Sequence, residues 1–155
     1  MRLSTFSDYS LRVLMYLGGQ PDRLATIAEI AAVHAISEGH LMKVVHQLGR
    51  CGYIETVRGK GGGMRLAHAP HKIVLGEVIR QTESDFALAE CFTDGASCRI
   101  QGACGLHAIL GEALSALFLV LDGYTLADLL VNGKGMLPAA CPIAITRPTE
   151  NLNHE

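Results

Sequence analysis

Five consecutive residues, Gly59-Lys60-Gly61-Gly62-Gly63, contain four glycines and lie between two short segments of alternating pattern. Such a run continues neither a helix nor a strand, so the chain must turn there. Tyr53-Ile54-Glu55-Thr56-Val57-Arg58 before it and Met64-Arg65-Leu66-Ala67 after it alternate as strands, which predicts a β-hairpin with a basic tip. The Gly-x-x-x-x-Gly-Lys-Ser/Thr spacing of a phosphate-binding loop is absent. Lysine and arginine on a thin ribbon can reach DNA phosphates, and glycines let the main chain come close. The bland alternative is a flexible hairpin with no function.

What precedes the hairpin favours the DNA reading. Residues 5–18 read as a helix, with Thr5 and Asp8 as a capping box and Leu11, Leu14 and Met15 as its apolar face. Gly18-Gly19-Gln20-Pro21-Asp22 ends it. A second capping box, Thr26 and Glu29, opens a short helix bearing Ile30, Ala31 and Val33. His34-Ala35-Ile36 then connects to Ser37, an N-cap, with Ile36 and Leu41 placed as a hydrophobic staple. The third helix runs to about Arg50, with Leu41, Val44, Val45 and Leu48 inward and His40, Lys43, His46, Gln47 and Arg50 outward. Two helices on a tight connection, the second with a polar and basic face, form a helix-turn-helix pattern. A plain helical hairpin fits that segment alone equally well. The basic β-hairpin directly behind it tips the balance to a winged helix-turn-helix, with Ser37, His40, Lys43, Arg58 and Lys60 as candidate DNA contacts.

The net charge of −2 argues at first sight against a nucleic-acid partner. Residues 1–70, however, hold 8 Lys+Arg against 5 Asp+Glu, whereas residues 71–155 hold 5 against 10. A basic front and an acidic back suit a DNA-binding head with a regulatory tail. The length of 155 residues allows one domain and an extra element. No run approaches the roughly 18 apolar residues of a membrane span, and no signal-peptide pattern opens the sequence. A cytoplasmic protein is expected.

Residues 73–82 predict an amphipathic helix on Ile73, Leu75, Val78 and Ile79. From about Cys104 a long helix carries Leu106, Leu110, Ala113, Leu117, Val120 and Tyr124, widened by Ile109, Leu114 and Leu121. Such a seam is either a dimer contact or a face packed on its own domain; a twofold reader of palindromic DNA would use the former. Thr125 to Leu130 adds a last turn or two, and the Gly/Pro/Asn-rich residues after it read as a disordered tail. The fold expected is mainly α with a small β-hairpin. Its divisions are a winged helix-turn-helix domain (1–82), a cysteine loop (83–104), a dimerisation helix region (105–132) and a tail (133–155).

Three of the five cysteines, Cys91, Cys98 and Cys104, share that loop. Cys91-x6-Cys98-x5-Cys104 has no Cys-x-x-Cys knuckle, so a structural zinc site fits poorly. Thiolates on an open loop can instead surround an iron–sulfur cluster, three of them leaving one position to another group. A redox-active pair with a spare thiol is the alternative, although nothing beside these cysteines is arranged to lower a thiol pKa. Cys51 reads as a small packing residue and Cys141 as a bystander.

The opening Met1-Arg2-Leu3-Ser4-Thr5-Phe6-Ser7-Asp8-Tyr9-Ser10-Leu11-Arg12 resembles the start of the NsrR/IscR-type winged-helix repressors. So do Gly39-His40-Leu41-Met42-Lys43-Val44-Val45 and Gly52 through Gly63. The three-cysteine loop and Tyr124-Thr125-Leu126-Ala127-Asp128-Leu129 are similar to the NsrR branch. The resemblance covers roughly positions 1–132. It implies a nitric-oxide-responsive repressor without catalytic activity, whose homodimer binds a palindromic operator. It also implies one iron–sulfur cluster per subunit, [4Fe-4S] favoured over [2Fe-2S]. Asp8 matches the position of an aspartate ligand supplied from the partner subunit in that branch. His107, three residues after Cys104, matches a histidine ligand of the IscR branch instead. Asp8 is favoured, because the IscR branch carries no acid there. Rival readings are a response to redox state, iron or cluster supply, or a thiol or electron-transfer protein.

Overall fold

The computed structural model describes residues 2–93 and 104–131, and of Val131 the backbone alone. Helices α1 (Thr5–Gly18), α2 (Ile27–His34) and α3 (Glu38–Arg50) come first. The antiparallel strands β1 (Ile54–Val57) and β2 (Gly63–Leu66) follow, then α4 (Leu75–Thr82), α5 (Gly105–Asp122) and α6 (Leu126–Val131). This is the expected mainly helical fold with one small hairpin.

One core joins the first four helices, the hairpin and α6. Val13, Leu14, Ile30, Leu41, Val44, Leu48, Ile73, Val78 and Leu126 are almost wholly buried in it. The helical periodicity placed the inward faces of α3 and α4 correctly. Two apolar residues depart from expectation: Met15 and Val33 are exposed, Val33 by 60%. Helix α1 instead turns Ser7, Ser10, Val13, Leu14 and Leu17 inward, and both serines are hydrogen-bonded. The Ser10 hydroxyl donates to the Phe6 carbonyl at 2.8 Å, and Ser7 Oγ shares a 2.8 Å hydrogen bond with Thr82 Oγ1.

The start of α1 differs from the expected Thr5/Asp8 box. Ser4 is the N-cap, and its hydroxyl accepts the Ser7 N–H at 3.2 Å. The Ser4 N–H donates to Glu83 Oε1 at 2.7 Å, an acid 79 residues away. A reciprocal cap thus forms, but its acid arrives through tertiary structure, where a search three residues downstream could not find it. The second box is half realised. Thr26 caps α2 by accepting the Glu29 N–H at 3.2 Å, whereas the Glu29 carboxylate turns to Arg23 and the Tyr16 hydroxyl.

Strand β1 is shorter than its alternating segment, because Tyr53 and Arg58 lie outside the ladder, and β2 is shifted by one residue, so that Gly63 pairs with Val57 and Ala67 falls outside. Ala25 adds a bridge to Met64, its N–H and carbonyl both hydrogen-bonded there at 3.0 and 2.8 Å. Helix α4 begins two residues late, after a 3-10 turn at Pro70–Lys72.

Helix α5 leaves the head almost bare. None of its residues is buried, and Leu106, Ile109, Leu119 and Val120 are 54–77% exposed. Its 18 residues and mean hydropathy of 1.5 suffice to cross a membrane, contrary to the expectation that no such stretch exists. Its last turns are nevertheless tied to the head. Arg80 makes two 2.7 Å hydrogen bonds to Asp122 and lies 4.2 Å over the Phe118 ring, which meets Phe86 edge-on. The chain then returns. Leu75 N–H donates to the Tyr124 carbonyl and Leu126 N–H to the Ile73 carbonyl, and α6 packs on α1.

Candidate functional site

The α2–α3 connection is fixed by three local features. Ala35 takes a left-handed conformation at φ 53° and closes α2. Ile36 is buried beside Leu41 in the same core, in the staple positions flanking the cap. The Ser37 hydroxyl accepts the His40 N–H and lies 3.0 Å from His40 Nδ1. Ser37 is therefore both cap and steering group, and it fixes the direction in which the His40 ring leaves the helix. Tyr9 of α1 stands beside that ring, 6.4 Å between centroids.

The outward face of α3 presents His40, Lys43, His46 and Arg50, all exposed, with Gln47 half-buried. Gln47 donates to Cys51 Sγ at 3.5 Å, so its amide is directed back to the helix end. Cys51 itself is half-buried against the core, in keeping with a packing role. Residue-type reasoning passed over Met42, which is 56% exposed on the same face. An apolar side chain on a polar helix face was the available signal, and such a group can meet the methyl of thymine.

Helix α3 packs on β1, so the hairpin stands next to this face. Arg58 and Lys60 are exposed at its tip. Arg65 pairs with Glu55 directly across the ladder and is neutralised there. Lys43, Arg50, Arg58 and Lys60 enter no ion pair among the described residues, which leaves four positive charges available along one helix and its wing. The tip requires its glycines: Gly59 sits at φ 105°, and a Cβ on Gly62 would overlap the Val57 carbonyl oxygen.

Of the three loop cysteines, Cys91 and Cys104 are placed and Cys98 lies outside the described residues, as does Cys141. Both placed thiols are free and half-buried. Cys91 sits in a one-turn 3-10 helix, Glu90–Phe92, and Cys104 is the N-cap of α5. Among the described residues no three of His, Cys, Asp and Glu come together as a metal site. The chemistry of the two thiols fits an iron–sulfur group, and the rest of the donor set is not gathered within the described part of one chain.

Asp8 stands elsewhere. Its carboxylate accepts from Arg12 at 2.9 Å, both side chains about half exposed. It faces an open cleft of about 640 Å³ lined also by Arg2, Tyr9 and His34. His107 is on the first turn of α5, its ring stacked on Phe92 at 4.5 Å with the planes 17° apart. A second groove, about 750 Å³, runs between α5 and the end of α4, with Phe86, Leu88, Leu114, Leu117, Phe118 and Leu121 as its apolar walls.

Comparison with known proteins agrees with this geometry. Residues 3–132 match the Rrf2 family, described as iron-dependent transcriptional regulators. The HTH-type transcriptional regulator NsrR of Bacillus subtilis is 48% identical over 139 residues, which span 88% of this chain and 95% of that protein. The protein of the same name from Geobacillus kaustophilus is 50% identical over 132 residues, 84% of this chain and 90% of its own. The solved structure of T. potens IscR shares the fold, with a TM-score of 0.71 at 24% identity over 88% of this chain and 93% of that one.

Proposed function

The chain belongs to the Rrf2 family of iron-dependent transcriptional regulators, and from that premise we propose that it is a cytoplasmic, homodimeric repressor that releases DNA when nitric oxide attacks an iron–sulfur cluster. The observation that carries the reading is the unpaired cationic face of α3 beside the wing, on the same chain as two free thiols that open and close one loop. Residues 1–82 are the reading head, 83–104 the cluster loop and 105–132 the dimerisation region, with α6 seated on the head. Ser37, His40 and Lys43 enter the groove or its edge, and Arg58 and Lys60 reach phosphates from the wing.

Cys91, Cys98 and Cys104 would hold the cluster, with Asp8 of the partner subunit as fourth ligand and His107 as the alternative. A [4Fe-4S] group, one per subunit, is favoured over [2Fe-2S]. When bound, the group supplies iron to which nitric oxide attaches. The Asp8 carboxylate is the hardest of the four donors and the worst matched to soft iron, so it is the ligand most readily given up. Without Asp8 as a ligand, the cysteine loop of one subunit would no longer hold α1 of the other. The two α3 helices then lose the spacing that a palindromic operator selects.

Two sets of substitutions test this. Cys91→Ala, Cys98→Ala or Cys104→Ala should each abolish stable iron and sulfide in anaerobically purified protein, while Cys51→Ala and Cys141→Ala retain both. Full retention in any of the first three would sink the assignment. Each of Lys43→Ala and Lys60→Ala, if it removes a phosphate contact, should flatten the salt slope of operator binding by about one unit. Unchanged affinity in the double variant would remove this surface from the interface. The family's description as iron-dependent favours a second reading, in which iron or cluster supply is the signal. Titrating the loaded protein with nitric oxide, and separately with an iron chelator, while following operator release distinguishes the two.

A further inference from the structure

The ends of the cysteine loop are joined by something neither the ligand set nor the DNA surface uses. Phe92 immediately follows Cys91, and His107 lies one helical turn beyond Cys104. Their rings are stacked nearly parallel, centroids 4.5 Å apart. Among the described residues the first end is otherwise held by Thr93, whose N–H and hydroxyl both donate to the Glu90 carbonyl. The Glu90–Phe92 turn has no side-chain cap, and Cys104 caps α5 without a side-chain hydrogen bond.

We propose that Phe92 and His107 form an aromatic clasp, a pair of positioning residues that holds Cys91 and Cys104 at one end of the loop before metal arrives and slows its escape afterwards. This rests on the reading of the loop as a cluster site. The physical case is one of loop closure. Three thiols spread over 14 residues must converge on one object, and bringing the ends of such a stretch together costs closure entropy. A ring contact between positions 92 and 107 closes that loop in advance, so part of the loss has already occurred in the metal-free chain. Face-to-face contact also leaves the edge nitrogens of His107 outside the stack. The clasp therefore makes a prediction that a ligand role does not: a flat apolar ring should serve at position 107 as well as imidazole does.

The stack is testable without metal. In the apo chain, the His107 ring protons should be shifted upfield in the NMR spectrum by the Phe92 ring current, and Phe92→Leu should return them to ordinary positions. Proton shifts that ignore Phe92→Leu would overturn the clasp. In the loaded protein, Phe92→Ala and His107→Ala should each hasten iron release to a chelator by roughly 3- to 10-fold, the size of effect one aromatic pair supplies. The double variant should be no faster than either single one, and His107→Phe should restore the slow rate with an unaltered absorption spectrum. If His107→Phe loses the cluster while Phe92→Ala keeps it, His107 is a ligand and the clasp falls. A wild-type chain that takes up no iron and sulfide would sink the cluster reading and the clasp's role together. Normal uptake with release rates indifferent to Phe92 would sink the clasp alone.

Discussion

Asp8 shows how much a single residue's role depends on its neighbours. As a capping acid it would be committed to α1, but the cap belongs to Ser4 and Glu83, and among the described residues the Asp8 carboxylate is held by Arg12 one turn on. A half-exposed ion pair of this kind contributes at most about 1 kcal/mol, so the carboxylate can be removed or redirected cheaply. Asp8→Ala should accordingly stay folded while altering the cluster's absorption spectrum and weakening operator binding. His107→Ala should leave that spectrum unchanged. The reverse pattern, read by absorption spectroscopy of both variants, would transfer the fourth position to His107. A second residue-scale prediction concerns Glu29, whose carboxyl is held down to about 2 by hydrogen bonds from Arg23 and then Tyr16. Because the folded value lies below the ordinary 4.5, the stabilisation is complete above that pH and fades as pH falls towards 2. Acid titration of Glu29→Gln should therefore lose less stability across that window than the parent does, and parallel curves would refute the link.

At the scale of elements, the contact between α4 and α5 rests on a missing methyl. A Cβ on Gly76 would overlap the carboxylate of Asp122, which Arg80 grips through its two terminal nitrogens. Gly76→Ala should lower stability by about 1–3 kcal/mol through overpacking, despite its gain in helix propensity. Asp122→Ala on the same background should recover most of that loss, because it removes the clashing group. Thermal melts of the two singles and the double give the coupling, and additive losses would show that the clash is not the cause. The elements themselves were largely legible: helical periodicity located α3 and α4, and four glycines in five residues located the hairpin. The Ser4–Glu83 cap, the inward serines of α1 and the Arg80–Asp122 grip were not. The cap, the grip and the Ser7–Thr82 bond each depend on a partner dozens of residues away, and local pattern carries no record of such pairs. The loop cysteines were conspicuous by spacing, but two of the four proposed ligands stand outside what one chain's described residues can bring together. Asp8 faces a different cleft, and Cys98 lies beyond those residues.

For the whole molecule, the decisive feature is α5, which packs one side on α4 and leaves an apolar side uncovered among the described residues. An 18-residue helix with no buried residue is a poor solution for an isolated chain in water, since Leu106, Ile109, Leu119 and Val120 are each more than half exposed. Its hydropathy alone would also suit a bilayer, but Glu112 puts a charge near its middle and the Arg80–Asp122 grip ties its last turn to α4 of the head. In the proposed homodimer, a second α5 in antiparallel or crossed contact would cover the same face and would place two reading heads on a twofold axis, as a palindromic operator requires. Burying one such side chain is worth roughly 1.5–3 kcal/mol, so replacing two of them with charges on both subunits removes enough to raise a dimer's Kd at least about a hundredfold. Ile109→Glu with Leu119→Lys should thus shift the protein to monomers in sedimentation velocity at micromolar concentration. Far-ultraviolet circular dichroism should change little, because these side chains bury nothing in the head. Operator affinity should fall steeply while weak, salt-sensitive binding to unrelated DNA persists through Lys43 and the wing. A doubly substituted chain that sediments like the parent, or a parent that is already monomeric, would mean that α5 is not the dimer contact.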